Sequence, residues 1–392
     1  VVAEVAISCT ILVVAGYMIQ SVRNVSRVEL GFDPNHVMTG RISLFETEYP
    51  GPGSRDQFFT LLKERLEAEA GVASAALGTH LPGLGSFTYF LAVEGEAYST
   101  NRDYPSAAAT AVSADYFRTF GVHPVQGRDF SLLETQLGGD PVAIVNQSFA
   151  DRYFADGGAL GRRVRLGISA SNRPWMTVVG VVPDMHVGGG VGGLGDDRLR
   201  PERIYLPKGL YDHRQFSLAV RTEGPPELIS DRVREIVAEL NPNLPIYQLS
   251  SHDEALKQAT WAFKLFGVQF SVFGSLALFL AAVGLYGVMA FSVNQRRREM
   301  GVRMALGANA ASVLGLVLTR GARQVGLGTA LGLGLGATLG GPMRYVLYGV
   351  ETGDPWVYLL IVAILAFAGF VACILPARAA TRTDPVEAMR VG

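Results

Sequence analysis

The chain has 392 residues, with 34 lysines and arginines against 35 aspartates and glutamates, for a formal net charge of -1. That balance excludes a chain-wide basic footprint for nucleic acid, and the 2 cysteines exclude a disulfide-built scaffold. The hydrophobic share, 49%, is concentrated in four long apolar runs, at residues 1–19, 266–293, 314–347 and 356–375. A helix needs about 20 mostly apolar residues to cross the hydrocarbon layer. The predicted fold class is therefore a membrane protein: an α-helical transmembrane bundle of four helices, one plus three. A large α+β extracytoplasmic domain is inserted between helices 1 and 2.

The first helix takes residues 1–20. It has no basic start and no small-residue cleavage site before Arg23, so it reads as a membrane span rather than a removed leader. It opens apolar and without methionine, which leads us to expect a natural helix that starts earlier. Glu4 is expected at headgroup depth or, because a carboxylate inside hydrocarbon is costly, facing a partner helix or pore; the first is the favoured reading. Cys9 and Cys373 both fall in apolar runs and read as small apolar fillers.

Residues 21–264 form the insert. Residues 21–31 alternate in charge and predict a helical extension leaving the membrane. A strand at 36–44 is followed by an amphipathic helix at 55–70, where Phe58, Phe59, Leu61, Leu62 and Leu66 recur at helical spacing. Gly71 stops it, and a strand at 72–77 runs into the turn Leu81-Pro82-Gly83. Short β-like runs follow at 107–112, 142–145, 163–166 and 176–182, interrupted by small helices at 115–120 and 147–154. A strand at 218–220, a helix at 227–240 behind Pro225 and Pro226, and a strand at 245–249 complete the insert. The two ends, about 32–86 and 208–250, read as halves of one split α+β subdomain. A β-rich subdomain, about 87–207, is inserted between them.

Catalytic chemistry finds little support in the insert. The glycine-rich stretch at 188–195 precedes Asp196 and Asp197 rather than a Lys-Ser or Lys-Thr pair, and reads as a surface loop. Asp184 and His186 stand without the further ligands a metal needs, and the remaining histidines are scattered singly. No G-x-x-x-x-G-K-[ST] run occurs in the 392 residues. We therefore expect no catalytic residue, no metal and no cofactor.

The second helix, 265–293, ends on Arg296-Arg297-Arg298-Glu299-Met300-Gly301-Val302-Arg303. Arg378, Arg382 and Arg390 follow the fourth helix. Short basic segments favour the cytoplasm, which places both clusters inside, the insert outside, and the loop 349–355 outside. Segment 294–311 sets Met300, Met304, Leu306 and Gly307 beside a basic edge, and reads as an interfacial helix or as a docking element. In the third hydrophobic segment, 312–348, Gly328, Gly332, Gly336 and Gly340 recur every fourth residue. Such a row forms a smooth ridge on which another helix, of this chain or of a second copy, can pack closely. The fourth helix, 356–375, precedes a cytoplasmic tail at 376–392.

Segment Arg297-Arg298-Glu299-Met300-Gly301-Val302-Arg303-Met304-Ala305-Leu306-Gly307-Ala308 resembles the signature of FtsX-like and MacB-like ABC transporter permeases. The tail from Pro376 to Arg390 resembles the ending of the same family. Tyr116-Phe117-Arg118-Thr119-Phe120-Gly121, Gly127-Arg128, Val142-Ala143-Ile144-Val145-Asn146 and Val179-Gly180-Val181-Val182 are similar to its MacB-like periplasmic core domain. The chain also resembles one half of the long duplicated permeases of Acidobacteria and their relatives. The resemblance implies a multi-pass protein of the bacterial cytoplasmic (inner) membrane that pairs with a second permease unit, as a homodimer or an intramolecular repeat. It implies a cytoplasmic ABC ATPase partner engaged by Arg297, Arg298, Glu299, Met300, Gly301, Arg303, Met304, Leu306 and Gly307. It implies a transport component rather than an enzyme. The expected function is transmission of ATP-driven motion to the outer domain for efflux or release of a substrate. The alternative is a membrane sensor or scaffold whose outer domain binds a ligand or regulates an envelope enzyme.

Overall fold

The computed structural model describes residues 2–25, 29–154, 158–168, 171–185, 202–295, 310–343, 347, 350 and 354–381. The chain divides into two compact units: Val28–Trp261, and a second that joins Val1–Arg27 to Ala262–Gly392. The elements begin with helix α1 (Val2–Val25), strand β1 (Val37–Ser43), helix α2 (Pro52–Glu67) and strands β2 (Val72–Gly78), β3 (Phe87–Val93) and β4 (Ser106–Val112). Next come α3 (Tyr116–Thr119), β5 (Gln126–Gly127), β6 (Val142–Asn146), α4 (Gln147–Tyr153), β7 (Arg163–Leu166), β8 (Met176–Val182) and β9 (Arg203–Pro207). Strand β10 (Gln215–Thr222), α5 (Ser230–Leu240), β11 (Ile246–Ser251), α6 (His252–Gln295), α7 (Ala310–Met343) and α8 (Pro355–Thr381) follow among the described residues.

In unit Val28–Trp261, strands from the two ends of the insert lie side by side in the antiparallel order β11-β1-β10-β2. Helix α2 starts on Pro52, whose missing N–H costs nothing in a first turn. It buries Phe58, Phe59, Leu62 and Leu66, and α5 adds Val233, Ile236 and Val237 to the same core. Phe59 meets Phe216 of β10 edge-on at 4.9 Å. The middle of the insert forms a second lobe. Its strands follow the order β4-β3-β7-β8-β6-β9, and β9 returns to pair with β4 in parallel, from Ala108↔Arg203 to Val112↔Pro207. The six pairings close a ring of strands, with the first half of β3, Phe87–Phe90, paired on one side only among the described residues. Leu91, Val145, Phe149, Val164, Val178 and Ile204 fill it.

The lobes are joined by one β2–β4 pair, Gly78↔Val112, and by a shared core around Tyr116, Phe117, Phe120 and Tyr205. Tyr116 is fully buried, and its hydroxyl donates to the His80 carbonyl at 2.9 Å. The Asp184 carboxylate accepts from the Ser148 backbone N–H at 3.1 Å, from the Ser148 hydroxyl and from the Asn146 amide. It thereby ties down the start of α4. His186 and the glycine-rich stretch 188–195 lie outside the described residues.

The other unit contains α1, the apolar part of α6, α7 and α8. Among the described residues, three helices are long and apolar enough to cross a membrane: Val2–Asn24, His252–Phe291 and Pro355–Ile374. Helix α7 is long enough but is diluted by glycine, which has no side chain to contribute, and by Arg320 and Arg323. Helix α1 lies against the other three. The Ser8 hydroxyl donates to the Ala277 carbonyl of α6 at 2.8 Å, and the Tyr17 and Tyr358 hydroxyls meet at 2.6 Å. The Gln20 amide donates to Asp354 at 3.0 Å.

Two boundaries differ from the sequence expectation. Helix α1 is described to Val25, and residues 29–31 are not helical, against the predicted extension to residue 31; Gly31 takes a φ of +71° that turns the chain. Helix α6 begins at His252, well before the first apolar residue of its run. Asp253 and Glu254 occupy its first turn, and Asp253 pairs with Lys257 at 2.6 Å.

Candidate functional site: a glycine seam, a helix joint and a polar cleft

The nine residues read as the ATPase-coupling segment, Arg297, Arg298, Glu299, Met300, Gly301, Arg303, Met304, Leu306 and Gly307, lie outside the described residues. The glycine row lies within them. Gly328, Gly332, Gly336 and Gly340 are all buried, while Gly326 just before the row and Gly334 within it are exposed. A Cβ on Gly328 would stand 2.6 Å from the Cβ of Val5, and one on Gly336 would stand 2.9 Å from Cγ1 of Val13. A Cβ on Gly332 would meet Cys9 and lie 2.6 Å from the Ala6 carbonyl. Helix α7 thus lays its backbone directly on α1 of the same chain. At this short range the Thr10 hydroxyl reaches the Gly332 carbonyl at 3.2 Å, and the Cys9 thiol reaches the Thr329 carbonyl at 3.7 Å. Small residues and interhelical hydrogen bonds are the attractions left to helices in lipid, where apolar burial gives no net drive.

A second feature sits where α6 begins. Pro82 and Gly83 form the centre of a turn closed by the Leu84 N–H on the Leu81 carbonyl at 3.1 Å, with Gly83 at a φ of +80°. A positive φ at the third position of such a turn favours glycine. Packing adds a second reason, since a Cβ on Gly83 would collide with Leu256 of α6. His252, the first residue of α6, is fully buried, with Phe32 at 5.7 Å and Phe120 at 5.3 Å between ring centroids. The first turns of α6 are therefore built into the core of unit Val28–Trp261.

The third feature is a cleft of about 980 Å³ between the two lobes of that unit. Its floor and walls come from β1, the segment just after β2, β3, β4 and the loop before β10. Two ion pairs cross it: Arg55 with Asp212 at 2.5 Å, and Arg214 with Glu46 at 3.0 Å. Arg41 and Arg173 also line it. Arg173 stacks over Tyr89 at 5.9 Å and Tyr211 at 5.1 Å. Burial, followed by the positive charge of Arg41, the nearby His213 and Arg203, pushes the His80 pKa down to about 4. Burial also lowers that of His213. Both rings are neutral at neutral pH.

Residues 4–246 match the family model for the MacB-like periplasmic core domain. That match covers more than half of the chain. The chain belongs to this family. Residues 271–385 match the FtsX-like permease C-terminal model, so both family modules are present, in that order. The chain is therefore of the MacB/FtsX-like ABC transporter permease family, a family of membrane permeases with a periplasmic domain. It is 25% identical over 295 residues to the macrolide export ATP-binding/permease protein MacB of Chromobacterium violaceum, covering 72% of this chain and 43% of that protein. It is 27% identical over 294 residues to the protein of the same name from Escherichia coli K12, with the same coverages. The chain thus spans less than half the length of these relatives. Among solved structures, it resembles the periplasmic region of MacB from Actinobacillus actinomycetemcomitans at 17% identity and a TM-score of 0.38. That likeness covers 59% of this chain and 95% of the other.

Sequence reasoning singled out neither the joint nor the cleft. His252 and His80 read as scattered histidines, and Arg41, Arg173 and Tyr211 stand too far apart in the chain to form a local pattern. The spacing of the glycine row was the one local signal.

Two outcomes follow from this geometry. Gly332→Ala forces a methyl into the Ala6 carbonyl and is expected to cost about 1–3 kcal/mol. Gly334→Ala faces open space and should be neutral, or stabilising by up to about 1 kcal/mol through helix propensity. Thermal unfolding midpoints of the two variants in the same lipid check this, and equal midpoints contradict the seam.

The second outcome concerns pH. The folded state holds His80 and His213 below their unfolded pKa, so the unfolded chain takes up protons first as the pH falls. Stability is fully present above about pH 6.5 and declines toward pH 4, by about 1 kcal/mol from His80 at pH 5 once solvent screening is allowed for, with His213 acting in the same direction. Melting of the wild type and of the His80→Gln/His213→Gln double variant between pH 7.5 and 5 measures it, in steps of about half a unit. The double variant should show the shallower slope.

Proposed function

We propose that the chain is the permease unit of a MacB/FtsX-type ABC transporter, transmitting ATP-driven motion from the cytoplasm to its extracytoplasmic domain for efflux or release of a substrate. The observation that carries this reading is the ordered pair of family matches, 4–246 and 271–385, spread over nearly the whole chain. ATP hydrolysis is assigned to a cytoplasmic ABC ATPase outside these 392 residues, which contain no P-loop run. The macrolide export relatives are ATP-binding/permease proteins by name, with both functions in one protein.

The reading places helices 1, 2, 3 and 4 across the inner membrane, with residues near Ser251 outside and those near Arg297 inside, following the arginine flanks. Two permease units, as separate chains or as an internal repeat, make the working assembly. The seam between α1 and α7 holds the span rigid, and α6 carries motion to the joint at His252. Segment 294–311 is the docking element, where Glu299 and the apolar Met300 and Met304 meet the ATPase.

Affinity purification of the tagged chain from its host is expected to bring down an ABC ATPase. Recovery of the chain without one, from membranes in which the ATPase is detected, favours the sensor or scaffold reading. In the reconstituted pair, Glu299→Lys/Met304→Ala should reduce the stimulation of ATP hydrolysis by roughly tenfold while membrane insertion is kept, since a docking charge is worth about 1–3 kcal/mol. Wild-type stimulation in that variant removes the segment from the mechanism.

A further inference from the structure

The cleft of the outer unit has chemistry that the transport reading does not use. Its two carboxylates are engaged by ion pairs, Asp212 by Arg55 and Glu46 by Arg214. Arg41 and Arg173 then leave an excess of positive charge, and neither has a carboxylate partner among the described residues. Solvent alone would satisfy an arginine at an open rim. It does not explain the polar atoms around these two. The Tyr211 hydroxyl, Nδ1 of His80 and Nε2 of His213 are each buried and without a hydrogen-bond partner. A folded chain rarely leaves three such atoms on residues that line one cavity, because each unmet group costs about 1–3 kcal/mol. The wall beside them is aromatic. Phe87 is 64% exposed, an unusual position for a phenylalanine on a strand, and Tyr89 and Tyr211 flank it in the same cleft.

We infer that this cleft binds an organic anion: a carboxylate or phosphate received by Arg41 or Arg173, on an apolar or aromatic body that lies against Phe87 and Tyr89. Guanidinium groups suit both anions because their donors match the paired oxygens. The volume, about 980 Å³, suits a molecule of small-ligand size. Both lobes contribute, Arg41 from β1 and Tyr89 from β3, so an occupant would bridge the halves of the split domain. The inference is independent of the transporter reading, since the cleft is complete within unit Val28–Trp261 and the ATPase takes no part in it.

The test uses the full chain in nanodiscs of zwitterionic phosphatidylcholine and isothermal titration calorimetry. Three water-soluble probes of similar ring size are compared: N-benzoyl-aspartate, phenyl phosphate and benzyltrimethylammonium. At least one anionic probe should bind and the cation should not. The stronger of the two anions identifies the carboxylate or the phosphate as the preferred group. Arg41→Gln/Arg173→Gln should weaken the binding roughly tenfold or more. Arg234→Gln, on the exposed face of α5, should leave it unchanged. Circular dichroism melts of each variant separate lost binding from lost folding. Where the double variant melts early, Phe87→Ala serves instead, with the same expected loss. The inference is overturned if the cation binds as well as the anions, if neither anion binds up to about 10 mM, or if binding survives the Arg41 and Arg173 replacements. Failure here with ATPase co-purification intact leaves the transporter reading standing, and the reverse result leaves the cleft standing.

Discussion

The close approach of the α7 backbone to α1 is the constraint on which the membrane unit depends. Two helices in lipid gain nothing by hiding apolar side chains from one another, because the surrounding tails are equally apolar. What remains is contact at short range. Gly328, Gly332 and Gly336 allow that range, and the Thr10 hydroxyl and Cys9 thiol then find carbonyls of α7 to donate to. Helix α1 also reaches α6 through Ser8 and α8 through Tyr17 and Gln20, so it acts as the post around which the unit is assembled. Leu327, Leu331, Leu335 and Leu339 precede the glycines and are exposed. The same four-residue repeat thus sets a smooth face against α1 and a bulky one away from it.

The outer unit solves a different problem. Its two lobes share one β2–β4 pair, so their union rests on side chains more than on sheet. Tyr116 is central to it: a buried ring with its hydroxyl on the His80 carbonyl and with Phe117 and Phe120 beside it. Phe120 extends that core to His252, the first residue of α6. A displacement at the start of α6 therefore bears on the same aromatic cluster that joins the lobes. The cleft opens on the other side of this junction, where His80 contributes a ring atom.

Much of the family identity was legible, because it resides in short contiguous phrases such as Arg297–Ala308 and Val142–Asn146. Local periodicity also located α2 and α5, whose apolar positions recur at helical spacing on one side. The closure of the second lobe was not legible. Strand β9 pairs with β4 across nearly a hundred residues of chain, and nothing local in Arg203–Pro207 states its partner. Strand β3 escaped notice because its exposed first half, beginning at Phe87, faces the cleft and blurs the alternation that marks a half-buried strand. The glycine spacing was visible as a row, but its partner helix was not, since residues 328–340 and 2–13 meet only in three dimensions. The cleft was hidden for the same reason. Arg41, His80, Arg173 and His213 are ordinary residues one by one, and only the packing of two lobes brings them to one cavity.

The central claim is that events at a cytoplasmic ATPase reach the outer unit through α6. Hydrogen–deuterium exchange at the joint tests it most directly, followed over the backbone amides of residues 252–261 and of the turn Leu81–Leu84 in the reconstituted pair. Exchange is compared without nucleotide and with the ATPase trapped in its ATP-bound state. The account predicts a change in protection at both segments on trapping, absent when Glu299→Lys/Met304→Ala is introduced. Identical exchange in the two states, in a preparation that hydrolyses ATP, would contradict it.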